Sequence, residues 1–324
     1  MAALTYSDAM SEALQRLRGV GFEHGTSFVN HAPMAAEALA AMGYADEVPG
    51  WVESNLRVRT YHDVPEARWT IDPTDRHDWQ AALGDFSRVA DWTGMFEREL
   101  ADDAWTEVLA RWWPRLLPGM SGVLTHGVIR TAHAVRAVVG AGNENRLQLD
   151  ELAQGLGYWA SRFSGHAGKA TAGEDSPPAD PHTLGDEPAR AARALDDLVA
   201  EYSGIYATVA QRHPIPLIHA VTGPAAVRLV IEHLPESQRW PSYLVARDVS
   251  RAMLGWFGAP GDGAGGTEFL APPVDEVFAA AAAIGDEHAI KLAEVAVRHH
   301  TIAPDPRYAA AAHTANRGIV QFYR

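Results

Sequence analysis

Four histidines in this chain stand in settings that suit metal ligation, and a lysine stands beside the last of them. His31 lies in the run Asn30-His31-Ala32-Pro33-Met34, and His126 opens the run His126-Gly127-Val128-Ile129-Arg130-Thr131-Ala132-His133. His219 lies in Ile218-His219-Ala220-Val221-Thr222-Gly223, and His288 in Glu287-His288-Ala289-Ile290-Lys291. Neutral imidazole is the commonest metal ligand among side chains. The chain has no cysteine. That excludes disulfides, iron–sulfur clusters, thiolate-bound haem, zinc–cysteine sites and cysteine nucleophiles together. A metal would then be held by histidine, carboxylate or a rarer donor. There is no GxSxG elbow, no HExxH, no di-iron ExxH pair and no GxxxxGK[ST] phosphate loop.

Each position also has a plainer reading. Pro33 suits the first turn of a helix that Gly43 ends, which puts His31 just ahead of the helix. The positive end of the helix dipole keeps such an imidazole neutral, although a capping or surface histidine has the same pattern. His126, Arg130 and His133 follow at spacings of four and three, so they share one helix face among apolar neighbours. That face turns either to water or to a cavity. His126 and His133 are two turns apart, roughly 10 Å along the axis, so one metal does not take both. We read His126 as the ligand and Arg130 with His133 as catalytic groups of the cavity. His219, flanked by apolar residues, is either a ligand or a satisfied core histidine.

Asp286 suits an N-cap, and His288 and Lys291 then share a face. Lys291 either pairs with Glu287 and Glu294 on an exposed surface or faces inward with His288. The chain has only two lysines, Lys169 and Lys291, in an arginine-rich background. A buried lysine loses basicity. Its neutral amine can act as a base or add carbon dioxide to become a carbamate, an oxygen ligand.

These residues need helices to position them. Helical periodicity with Ala-rich composition predicts helices over Pro33–Met42, Trp105–Trp113, Val123–Val139, Ala189–Arg212, Val274–Ala283 and Glu287–His300. Leu56–Tyr61 alternates weakly and reads as a short hairpin arm or an extended loop. The expectation is an all-α chain, one large helical domain over residues 1–324, with irregular loops at about 165–188 and 258–273.

The formal charge is −14, which repels phosphate backbones and speaks against nucleic-acid partners. The N-terminal stretch lacks the pattern of a signal peptide, and no apolar run reaches membrane-spanning length. A soluble, cytoplasmic protein with no membrane partner is expected.

The four motifs, in this order, resemble the questin-oxidase-like family from about Asn30 to the C-terminal helix. The resemblance implies oxidation of aromatic polyketides such as anthraquinone-type rings, by Baeyer–Villiger-like or ring-cleaving chemistry, with non-haem Fe(II). Carried over by motif, the metal positions are His31, His126, His219 and His288, with Lys291 beside them, carbamylated or free. The partners implied are dioxygen and a phenolic or quinone-type substrate. Trp112, Trp113, Tyr158 or Trp159 would stack on it, and Arg130 or His133 would steady an oxyanion. Where fungal members carry histidine and an aromatic residue, this chain has Arg130 and His133, a departure that bears on the substrate. Mono- and dioxygenation are both compatible with this chemistry, the former drawing on an external reductant such as NADPH. Two rival readings stand beside it. One is an HD-type hydrolase built on His62, Asp63, His77 and Asp78. The other is a non-catalytic binding protein for aromatic metabolites.

Overall fold

The computed structural model describes residues 3–142, 145–165, 186–209, 213–258 and 269–323. Among them the architecture is all-α, with one two-stranded antiparallel hairpin. The first half holds α1 (Tyr6–Leu17), the strands β1 (Glu23–His24) and β2 (Phe28–Val29), α2 (Ala32–Ala41), α3 (Val48–Val58) and α4 (Arg76–Ala82). It continues with α5 (Val89–Asp102), α6 (Trp105–Leu116), α7 (His126–Gly140) and α8 (Arg146–Ser161). The second half holds α9 (Glu187–Thr208), α10 (His219–Val230), α11 (Glu236–Phe257), α12 (Val274–Ile284), α13 (Glu287–Ile302) and α14 (Pro306–Phe322). None of these helices is long and apolar enough to cross a membrane.

The helix starts follow local chemistry. Thr5, Asp75, Asn145, Asp286 and Asp305 each accept an amide of the first turn through the side chain, satisfying donors that a helix start leaves unpaired. Pro33 and Pro188 sit in first turns, where a missing N–H costs nothing.

Several expectations shift at their edges, and the helix expected to run to Arg212 ends at Thr208. Leu56–Val58 is the last turn of α3, because Val48, Val52 and Asn55 form a buried helical stripe that outweighs the weak alternation. Arg59 is extended after the helix, and Tyr61 makes a single bridge to His24 beside the hairpin. The helix expected from Val123 begins at His126, since the preceding residues are left-handed. Of the two expected loops, 166–185 and 259–268 lie outside the described residues, while Glu187 and Pro188 already belong to α9.

One apolar core runs through the chain. Trp92, Trp112, Trp113, Trp159 and Tyr158 are almost wholly buried, and Trp112 meets Trp92 and Trp113 meets Trp159 edge-on. These geometries favour aromatic pairs over face-to-face sandwiches. Within this frame α2, α7, α10 and α13 form a closed ring of neighbours, each packed on the next.

A buried charge network ties three of those helices together. Glu37 on α2 accepts the Arg136 Nε–H at 2.7 Å and pairs with His133 Nδ1 at 2.6 Å, both from α7. Arg136 also donates to Glu294 on α13, which Arg298 reaches at 2.8 Å. Burial alone would raise the Glu37 carboxyl, but Arg136 and His133 outweigh it and hold it at about 2. Arg136→Met is expected to leave two buried carboxylates short of their cation and to lower the unfolding free energy by about 3–5 kcal/mol in urea titrations. Because the Glu37 pKa is depressed on folding, its contribution is present above the ordinary carboxylate range and is lost as pH falls toward 2.

Candidate metal centre

The four histidines of the four motifs occupy equivalent places in the ring. His31 is the N-cap of α2, His126 and His219 are the first residues of α7 and α10, and His288 is the second residue of α13. Four helix N-termini therefore converge, and a ligating nitrogen from each imidazole lies within 4.8 Å of all the others. All four side chains are buried. His31 Nε2 stands 2.7 Å from His126 Nε2, and His219 Nε2 stands 3.1 Å from the same atom. The His288 ring lies 4.5 Å from that of His31 and 5.6 Å from that of His219, centroid to centroid.

Backbone carbonyls set the tautomers. His126 Nδ1 donates to Val123 O, and His219 Nδ1 donates to Pro216 O at 3.1 Å. Each ring then presents an Nε2 lone pair to the other, and two lone pairs at this distance repel unless a cation lies between them. Nitrogens bound cis to one first-row metal at ~2.1 Å would be ~3.0 Å apart, and trans nitrogens ~4.2 Å. The 3.1 Å between His126 and His219 falls in that range and the 2.7 Å between His31 and His126 lies just below it, so the cluster is of a size that could hold one metal ion.

Electrostatics keep three of those imidazoles neutral. Burial is the largest cause lowering His31, His126 and His219 well below the ordinary histidine value, with Lys291 and neighbouring histidines adding to it. The converging N-termini act in the same direction. Countercharge comes from two acidic side chains at the start of α13. Glu287 Oε1 lies 3.7 Å from His31 Nδ1, and Asp286 Oδ1 lies 3.5 Å from His288 Nδ1. Carboxylates behind ligating histidines orient the ring and raise its basicity. Glu287 is in turn held by Arg59, whose other terminal nitrogen lies 3.2 Å from His24 Nε2.

Lys291 faces inward. It is 2% exposed, and its Nζ has no hydrogen-bond partner among the described residues. Burial pushes it down to about 8, against the pull of Glu287 and Asp286. The alternative of exposed helix pairs fails because Glu287 turns to Arg59 and Glu294 to Arg136 and Arg298.

Arg130 and His133 are not part of the four-imidazole group. Arg130 forms a two-pronged pair with Glu151, at 2.7 and 2.9 Å, and its guanidinium lies 5.0 Å over the Phe22 ring. His133 is bound to Glu37. Both are buried and pack beside Met10, Met34 and Glu151 around a crevice too small to admit a water molecule, so their shared face turns neither to solvent nor to an open cavity. Trp112, Trp113, Tyr158 and Trp159 are core residues: Trp113 donates to Ser242 at 2.9 Å and Tyr158 to Glu23 at 3.0 Å. Trp159 backs the start of α7, where a Cβ on Gly127 would meet it at 2.7 Å, so only glycine lets His126 sit this deep. The residues His62, Asp63 and His77 are exposed, and Asp78 accepts the amide of Asp72 at 2.7 Å.

Sequence reasoning missed Asp286 as a carboxylate behind a ligand, Glu287 in the same role, and Arg59. The adjacent acidic pair just ahead of His288 was the available signal. Scans of the chain against protein-family models and against curated proteins match nothing.

Two outcomes follow. Glu287→Gln is expected to weaken metal binding about 10–100-fold by competition titration, as loss of a carboxylate behind a ligand does elsewhere. In the metal-free protein, unfolded imidazoles take up protons near 6.5 while the folded ones stay neutral. Stability should therefore fall as pH drops below that value, by about 1.4 kcal/mol per pH unit for each of His31, His126 and His219. Urea unfolding at pH 7.5 and 5.5 measures this, and a flat profile would refute it.

Proposed function

We propose that the chain is a non-haem iron oxygenase of questin-oxidase-like type, acting on an aromatic polyketide or another phenolic or quinone-type compound. The observation that carries the metal is the mutual facing of four buried imidazole nitrogens, two of them fixed as lone-pair donors by backbone carbonyls. Imidazole suits iron, and the ordered motif set supports iron and the aromatic substrate. Ferrous iron, when bound, supplies dioxygen activation at the coordination positions that the histidines leave open.

The chain's own groups divide the remaining work. His31, His126, His219 and His288 hold the cation without adding charge, and Asp286 and Glu287 balance it from behind. Lys291 supplies either a neutral amine that accepts a proton from a phenol or, after adding carbon dioxide and releasing a proton, a carbamate oxygen to the metal. Arg130, whose Nη1 has no hydrogen-bond partner among the described residues, is the donor proposed to steady a phenolate or developing oxyanion. His133, kept neutral by burial, sits beside it. An HD-type hydrolase loses ground because its two dipeptides lie on the surface and outside the histidine cluster.

Protein purified from cells grown without added metal is expected to carry stoichiometric iron, and His126→Ala to lose it. The iron-loaded protein should consume dioxygen with phenolic or quinol substrates, with or without NADPH. Iron that is absent and cannot be restored anaerobically would overturn the reading in favour of a metal-free binding protein. Iron that binds without any oxygen uptake would overturn the oxygenase part alone.

A further inference from the structure

Immediately before His126 the backbone does something L-residues avoid. Val123, Leu124 and Thr125 all have positive φ, at 40°, 55° and 64°, and none is glycine. Three consecutive residues in the left-handed region are strained, most severely at the β-branched Val123 and Thr125. Such strain persists only where surrounding structure over-determines it.

The surroundings do so from two sides. Gly122 is pressed against Arg162 O, where a Cβ would lie at 2.2 Å. Ser121 Oγ donates to Ser164 O at 3.2 Å, which ties the approach to the end of α8. Thr125 is fully buried, and its side chain lies 3.3 Å from where a Cβ on Gly223 would stand, on the helix that carries His219. The turn is thus wedged between the segment after α8 and the start of α10.

What the strain produces is an aimed carbonyl. In a regular helix Val123 O would point along the axis to the amide of Gly127. Here it accepts from both the backbone N–H and the Nδ1–H of His126. That double acceptance fixes the imidazole's rotamer and places its proton on Nδ1, leaving the Nε2 lone pair for the cluster. His219 achieves the same with an ordinary 3-10 turn through Pro216 O, so the left-handed turn is not needed for helix initiation itself. It is specific to the position at which His126 must meet both His31 and His219.

We propose that Val123–Thr125 is a strained positioning turn that locks His126 in its Nδ1-protonated tautomer, so that the ligand is set before metal arrives. This rests on the metal reading for its purpose but not for its structural content. The test compares Val123→Gly, Val123→Asn and Val123→Ala. All three remove the same apolar side chain. Glycine frees the backbone, asparagine still favours the left-handed region, and alanine keeps the strain.

Nitrogen-15 NMR of the metal-free protein should show His126 protonated at Nδ1 in the wild type, Val123→Asn and Val123→Ala, and in mixed tautomers in Val123→Gly. Iron or zinc affinity should fall about tenfold or more in Val123→Gly alone, in line with the loss of an orienting partner. Its thermal midpoint should be no lower than that of Val123→Ala. An unchanged tautomer and unchanged affinity in Val123→Gly would overturn the proposal, as would an Nε2-protonated His126 in the wild type. Equal losses in all three variants would overturn it too, by tracing the effect to the side chain. A wild type with the expected tautomer and no metal affinity would instead count against the metal reading.

Discussion

Four imidazoles brought together at four helix N-termini impose the constraint on which the rest of this structure depends. An apolar core disfavours charge, helix N-termini disfavour additional positive charge, and unshielded lone pairs repel one another. The chain nevertheless gathers His31, His126, His219 and His288 within a few ångströms. The arrangement is self-consistent only if the rings stay neutral and a cation can sit between them. Burial secures the first condition for His31, His126 and His219. The second is met at His126 and His219 by Nε2 atoms whose orientation is set from outside the cluster by backbone carbonyls, while Glu287 and Asp286 supply negative charge near His31 and His288.

The scaffold that carries the cluster is also held by charge. Glu37, His133, Arg136, Glu294 and Arg298 link α2, α7 and α13 in a buried network. Three of the four ring helices are therefore pinned relative to one another by interactions that tolerate little displacement, because a separated buried ion is far more costly than a shifted apolar contact. Arg130 with Glu151 extends the same logic to α8. Residues that looked catalytic from their spacing on α7 are thus engaged with the frame: His133 through Glu37, and Arg130 through Glu151, with its Nη1 unpartnered among the described residues.

Backbone strain is concentrated beside the cluster. Among the described residues, three of the four non-glycine positions with positive φ are Val123, Leu124 and Thr125, and they directly precede His126. The cost of such a turn is of order 1–2 kcal/mol per residue, comparable with a sizeable share of a domain's net stability. It is sustained by packing against the ends of α8 and α10, so the site's geometry and the fold's close approaches are parts of one arrangement.

The sequence by itself determined the helical class, because periodicity, prolines in first turns and side-chain caps such as Asp286 are local features read over a few residues. It also picked out the four histidines and Lys291, since each stands out against apolar neighbours or, for the lysine, against an arginine-rich background. Tertiary structure alone decided what those residues face. Lys291 could have paired with Glu287 and Glu294 on a wet surface; long-range pairing of those carboxylates with Arg59 and Arg136 left it buried and without a hydrogen-bond partner among the described residues. The tryptophans expected to stack on substrate became core, because burial of large rings is set by which helices pack together. The start of α7 moved from Val123 to His126 because contacts from Arg162 and Gly223 override local helix preference. Spacing along one helix places residues on a face, but only packing between distant segments determines what that face meets.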